Sequence, residues 1–213
     1  MKPFPVIGID EVGRGPIAGP VTVCAFYTNS EKYLKKLLFN NTIRDSKKLS
    51  KELRNNIYLT IRNLRKNKIK DLDIEYSIIS RSAKYIDRHG INKAIQSCIA
   101  TALSKLKIKY DHLEKVTYKL DGGLKLPSEY INQSTYIRGD ENHASIALAS
   151  IMAKVTRDRY MQKVSRENKG YDWENNVGYG TKKHYIGINT HGPSKLHRVS
   201  FIRRLNTSNK QKD

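Results

Sequence analysis

The sequence predicts an α/β layer structure built around a mixed β-sheet. Short β-branched runs open the chain, and stretches with helical spacing alternate with further apolar runs after them. The length of 213 residues suits one domain, or one domain with a small appendage, and 38% hydrophobic residues are enough for a real core. Strand order does not follow from these signals.

Val6 to Ile9 and Val21 to Tyr27 read as strands joined by a turn rich in glycine and proline. A helix should run from about Leu53, with Leu53, Ile57, Ile61 and Leu64 on one face and Ser50 as a candidate N-cap. It ends in Arg65-Lys66-Asn67-Lys68-Ile69-Lys70, read as a solvated helix end. Asp73 to Ile79 follows as a strand. Gly90 then opens the cleanest amphipathic helix, marked by Ile91, Ala94, Ile95, Cys98, Ala102, Leu103 and Leu106. Val116 to Leu120 is a strand ending at Asp121-Gly122-Gly123, and Ser134 to Ile137 is a short one ending at Gly139-Asp140. A long helix comes next, with Ala144, Leu148, Ile151, Met152 and Val155 facing inward. From Gly170 the chain is rich in glycine, histidine and basic residues, with weaker periodicity. Neither an internal repeat nor a linker is visible, and the polar tail at 206–213 is expected to be disordered.

Lys plus Arg number 40 against 20 Asp plus Glu, a net charge of +20. Such a surplus concentrates polyanions around a molecule, so nucleic acid is the first candidate partner and anionic membrane the second. The bland alternative is a surface enriched in lysine for reasons unrelated to binding. Cys24 and Cys98 stand far apart without a CxxC, which supports neither a zinc site nor a disulfide framework. The opening residues are interrupted by Asp10-Glu11 and do not read as a signal peptide, and no run approaches the ~18 apolar residues of a membrane span. A soluble, cytoplasmic protein is expected.

The acids carry the chemistry. Val6-Ile7-Gly8-Ile9 runs into Asp10-Glu11, Val116 to Leu120 into Asp121, and Tyr136-Ile137-Arg138-Gly139 into Asp140. If these segments are neighbouring strands, their carboxylates converge, and mutual repulsion calls for a bound cation or raised pKa values. Oxygen-only ligands select hard ions such as Mg²⁺ or Mn²⁺, and two of them roughly 3.5–4 Å apart stabilise both the attacking and the leaving oxygen of a phosphodiester. Singly, Asp121-Gly122 and Gly139-Asp140 are ordinary turn pairs. Gly13-Arg14-Gly15-Pro16-Ile17-Ala18-Gly19-Pro20 has the outline of a dinucleotide-binding turn, but a strand rather than a helix follows it, so that reading fails; no P-loop lysine follows either. What remains is a tight loop able to approach a sugar–phosphate chain closely. Asp45-Ser46-Lys47-Lys48-Leu49-Ser50 offers phosphate contacts. In Gly178-Tyr179-Gly180-Thr181-Lys182-Lys183-His184 an aromatic between glycines is free to stack, or else is a buried turn tyrosine. The histidines lack ligand spacing, and His184, His191 and His197 read as polar surface or secondary contacts.

These segments resemble ribonuclease HII. The run from Val6 to Val21 is similar to its opening motif. Asp45-Ser46-Lys47-Lys48-Leu49, Leu120-Asp121-Gly122 and Gly139-Asp140 resemble its later motifs in order and spacing. Ala149 to Asp158 resembles the helix after its last acid, and Gly178-Tyr179-Gly180-Thr181 and Leu196 to Phe201 its C-terminal blocks. The resemblance covers nearly the whole chain. It implies a ribonuclease H-like mixed β-sheet flanked by helices with a small C-terminal helical extension, as a single catalytic domain over residues 1–205. It implies two divalent ions, Mg²⁺ or Mn²⁺, on Asp10, Glu11, Asp121 and Asp140. Gly13, Arg14 and Gly15 would recognise the 2′-hydroxyl at an RNA-to-DNA junction, Tyr179 would pack on the neighbouring deoxyribose, and Ser46, Lys47 and Lys154 would contact phosphate or support the site. The related ribonuclease HIII typically has threonine in place of Arg14 and a long N-terminal domain, so this chain sides with ribonuclease HII. Ala147 replaces a frequent serine, and Glu141-Asn142-His143-Ala144 lacks a common proline. No Gln-x-x-Leu-x-x-Phe-Phe segment for docking to a sliding clamp is visible in the tail, and a monomer is expected.

The expected activity is hydrolysis of the RNA strand of RNA–DNA hybrids and cleavage 5′ of single ribonucleotides in duplex DNA, leaving 3′-hydroxyl and 5′-phosphate ends. Two rivals stand beside it: a non-catalytic basic RNA-binding protein, in which the acids are incidental, and another carboxylate nuclease of the same broad fold, such as a strand-transfer enzyme. Magnesium-dependent cleavage of a hybrid excludes the first, and joining of plain DNA ends would favour the second.

Overall fold

The computed structural model of the chain describes residues 5–39, 49–107 and 115–202. Five strands, β1 (Val6–Val12), β2 (Val21–Thr28), β3 (Ile74–Arg81), β4 (Thr117–Asp121) and β5 (Gln133–Tyr136), form one sheet in the order β3-β2-β1-β4-β5. The β1–β2 and β2–β3 pairs are antiparallel, and β1–β4 and β4–β5 are parallel, so the sheet is mixed as expected. The helices are α1 (Glu31–Phe39), α2 (Lys51–Asn67), α3 (Ala83–His89), α4 (Ile91–Lys107), α5 (Gly139–Asn142), α6 (Ala144–Ser165), α7 (Trp173–Asn176) and α8 (Lys182–His191).

Alternation along β2 explains the layering. Val21, Val23, Ala25 and Tyr27 enter one core with Ile7, Ile9 and the apolar face of α4, while Cys24 and Phe26 enter a second core with α1, α2 and α6. A sheet covered on both faces reads as a continuous apolar run, which is how β2 reads. Of the residues the periodicity of α4 marks, Ala94, Ile95, Cys98, Ala102, Leu103 and Leu106 are buried and Ile91 is partly so, and Ile99 is buried with them. Helix α6 passes so close to β1 that a Cβ on Gly8 would lie 2.1 Å from the Ser145 carbonyl carbon. Its residues from Ala144 to Ala153 are buried without a break, Ala147 among them, and small side chains are what permit this approach. A third, smaller apolar cluster joins Ala18, Met161, Tyr171 and Trp173, with Val177, Ile188 and Leu196 against it, and carries the segment from α7 onward.

Four expectations need correction. Helix α2 starts at Lys51 behind the Ser50 cap, and Leu53 in its first turn is exposed; the buried stripe begins one turn later at Ile57 and Ile61. The basic stretch after it is not wholly solvated, because Arg65 bridges Glu75 at 2.5 Å and lies over the Tyr76 ring. The segments at α1 and α3 are helical, where the sequence shows no helical period. His184 and His197 are buried rather than superficial, since each finds ring-nitrogen partners inside the third cluster; His191 is exposed. The tail at 206–213 lies outside the described residues.

Candidate active site

The parallel register sets Ile9 of β1 opposite Leu120 of β4, so the next residues, Asp10 and Asp121, stand at the same end of adjacent strands. Asp10 is 6% exposed and accepts hydrogen bonds from the Glu11 amide (2.7 Å) and from Ser150 of α6. Burial first, then the charges of Glu11 and Asp121, push its carboxyl well above the usual carboxylate range. Glu11 is also raised by burial, with Arg14 working against the shift. Asp121 pairs with Tyr136 in the β4–β5 ladder, and its Oδ1 accepts the Gly139 amide at 2.7 Å. That bond fastens the first turn of α5, and so the buried Asp140, to the end of β4. The chain enters this turn through Arg138 in the left-handed region (φ 53°), a conformation that side chains adopt reluctantly.

Among the described residues no three His, Cys, Asp or Glu side chains are already arranged to hold a metal ion. The acids nevertheless suit one. Their donors are all carboxylate oxygens, the type that hard divalent ions prefer, and the like charges around buried Asp10 are what a cation would relieve.

The glycine loop between β1 and β2 is held from beneath by two buried arginines. Arg198 donates to the carbonyls of Gly13 (2.6 Å), Arg14 (3.0 Å) and Gly19 (3.0 Å). Arg157 of α6 donates to Pro20 (2.8 Å) and Ala18 (3.1 Å), and also to Val177 (2.9 Å) in the segment before α8. Gly13 has φ +88°, and a Cβ there would meet Arg157 Nε at 2.3 Å, so glycine is required. Gly15 differs: the nearest atom to a Cβ there is Cε1 of Tyr179, at 3.8 Å. Gly15 and the half-exposed Tyr179 ring thus face one surface. The Arg14 side chain reaches Glu11 (3.3 Å) and Asn92 (2.9 Å) at its edge.

Other expected site residues are placed less directly. Lys154 is paired with Asp158 one turn along α6, at 2.9 Å. Ser46 and Lys47 lie outside the described residues. Sequence reading missed Ser150 and Asn92, whose roles depend on contacts between elements. It also missed the network that starts α6. Glu31 of α1 accepts from the Ser145 amide (2.9 Å) and hydroxyl (2.6 Å), and Lys119 bridges Glu31 (2.5 Å) and the His143 ring (3.2 Å). Burial alone would raise the Glu31 carboxyl, but the bonds from Lys119 and Ser145 outweigh it and hold it lower. Glu31 thereby does the capping that His143 does not. The departure at Glu141-Asn142-His143-Ala144 is accommodated this way, with the His143 ring also packed on Tyr136.

The family model described as ribonuclease HII matches residues 7–204. The chain belongs to the ribonuclease HII family. It is by that membership a ribonuclease H of type 2, a hydrolytic endonuclease. The ribonuclease HII of Caldicellulosiruptor bescii is 36% identical over 200 residues, covering 94% of this chain and 87% of that one. The ribonuclease HII of Archaeoglobus fulgidus, solved in complex with PCNA, superposes with a TM-score of 0.69 at 22% identity, covering 90% of this chain and 92% of that one. Bst-RNase HIII in complex with Mn²⁺ gives 0.68 at 20% identity, covering 92% of this chain and 67% of that one. The ribonuclease H-like fold is therefore shared by ribonucleases HII and HIII. The clamp complex is a property of the archaeal protein, and residues 203–213 of this chain lie outside those described. Among the described residues no helix is long and apolar enough to cross a membrane.

Proposed function

We propose that this ribonuclease HII family member hydrolyses the RNA strand of RNA–DNA hybrids and cuts 5′ of single ribonucleotides in duplex DNA, leaving 3′-hydroxyl and 5′-phosphate ends. It does so as a monomer with one catalytic domain over residues 1–205. The observation that carries the reading is the meeting of Asp10, Glu11 and Asp121 at adjacent strand ends, with the α5 turn and Asp140 fastened beside them. These four carboxylates are the proposed ligands of two divalent ions, Mg²⁺ or Mn²⁺, and the Mn²⁺ bound to Bst-RNase HIII supports that choice. When bound, such ions supply positive charge to both the attacking and the leaving oxygen. Arg14, in contact with Glu11, orients that carboxylate. The backbone at Gly13-Arg14-Gly15 reads the 2′-hydroxyl, and at Gly15 no side chain stands between backbone and strand. Tyr179 packs on the adjoining deoxyribose. Ser46, Lys47 and Lys154 serve phosphate contacts, Lys154 by leaving or sharing Asp158.

The test is a duplex carrying one ribonucleotide, incubated with Mg²⁺ or Mn²⁺ and with a chelator. Cleavage on the 5′ side, a 5′-phosphate product and loss of cutting with chelator are expected. Cutting that survives chelation would overturn the metal assignment, and failure to cut this duplex while a long hybrid is cut would overturn the junction reading.

A further inference from the structure

Beneath Tyr179 lies a chain of hydrogen bonds whose proton positions are fixed by two groups that can only donate. The Ser194 amide donates to His197 Nδ1 at 2.8 Å. His197 must therefore carry its proton on Nε2, which faces His184 Nε2 at 3.0 Å. The Trp173 indole N–H also donates to His184 Nε2, at 2.9 Å. With two donors on Nε2, His184 carries its own proton on Nδ1, and Nδ1 lies 2.8 Å from the carbonyl oxygen of Tyr179. The same carbonyl accepts the Thr181 amide at 2.9 Å. Both rings are buried and both are held in the neutral form, His197 down to about 4, by burial first and His184 next. The turn itself is anchored on the other side, where Gly178 accepts the amides of Ile17 and Ala18 in the glycine loop.

We infer that His184 is a positioning residue for substrate selection: the His197–His184 relay orients the Tyr179 backbone so that its ring stands over Gly15. This rests on the reading of Tyr179 given above. The relay touches none of the four acids; the Tyr179 carbonyl is where it meets the ring, while the backbone around His197 separately pairs with the glycine loop at Ala18.

Two substitutions divide the ring into its halves. In His184→Gln the amide oxygen reaches the Nε2 position and still accepts from Trp173 and His197, but the bond to Tyr179 is lost. In His184→Asn the side-chain NH₂ reaches the Nδ1 position and keeps that bond, while Trp173 and His197 lose their acceptor. Cleavage rates with Mg²⁺ on a single-ribonucleotide duplex and on a long hybrid are compared, with thermal unfolding on the same preparations. His184→Gln is expected to lower the ratio of the two rates about fivefold, the scale of one neutral hydrogen bond, with little change in Tm. His184→Asn is expected to keep the ratio within about twofold while Tm falls. An unchanged ratio in His184→Gln, beside a lowered one in Tyr179→Ala, would overturn the positioning role, as would equal loss in both His184 variants. An unchanged ratio in Tyr179→Ala would overturn the reading of Tyr179 itself, and the relay's role with it. Nitrogen chemical shifts of the two imidazoles in the unaltered protein test the proton positions independently, and a proton on His184 Nε2 would overturn the relay.

Discussion

Asp10 is an acid that its surroundings resist. It is nearly enclosed, and its neighbours Glu11 and Asp121 add like charge. Replacing it with asparagine leaves an oxygen for the Glu11 amide and removes the charge. Asp10→Asn should therefore abolish cleavage yet raise the Tm of the chelator-treated protein by a few degrees, since ~1 kcal/mol is worth about 2–4 °C in a protein of this size. Calorimetry in chelator decides it: a Tm well below that of the unaltered protein would mean the carboxylate is a structural partner. At this scale the convergence of Asp10 and Asp121 was legible because each follows an apolar run and the two runs pair in parallel; Asp140 comes in instead on the α5 turn that Asp121 fastens. Ser150 and Asn92 were not legible. Nothing local marks a helix serine as the partner of an acid more than a hundred residues away.

Between elements, β1 and α6 lie in very close contact, and Gly8 permits it. A methyl group there would run into the Ser145 backbone at 2.1 Å, where no flexible side chain can give way. Gly8→Ala should destabilise the protein by about 3 kcal/mol or more, at the upper end of overpacking effects. Urea unfolding measures this, and a change below about 0.5 kcal/mol would show that the two elements separate easily. Helix α4 buries one stripe and advertises it by period; the long helix expected from Ala144 is also there with Ala144, Leu148, Ile151, Met152 and Val155 buried, but the first half of α6 is buried all round, beyond what one stripe conveys. Helices α1 and α3 are short, and although Ser30 and Ser82 stand just before them, they offer too few turns for a period to emerge. His184 and His197 failed for a related reason: the spacing that matters to them is across the third cluster, not along the chain.

On the scale of the molecule, the net charge of +20 should make duplex binding steeply salt-dependent, because each neutralised phosphate contributes a log–log slope of about −0.9. A total slope of about −4 or steeper is expected in a titration of labelled duplex with the Asp10→Asn variant, in which cleavage does not intervene. A nearly flat response would make the basic excess ordinary solvated surface. The arginine clamp has a different consequence, one of timing. Gly13 and Arg14 are synthesised well before the guanidinium that takes their carbonyls, which belongs to Arg198, 185 and 184 positions further on. At roughly 5–20 residues per second, the glycine loop leaves the ribosome on the order of 10–40 s before its support exists. The strands and the acids of the nascent chain can begin to assemble in that interval. The surface proposed to tell one sugar from another is completed only once Arg198 has been made.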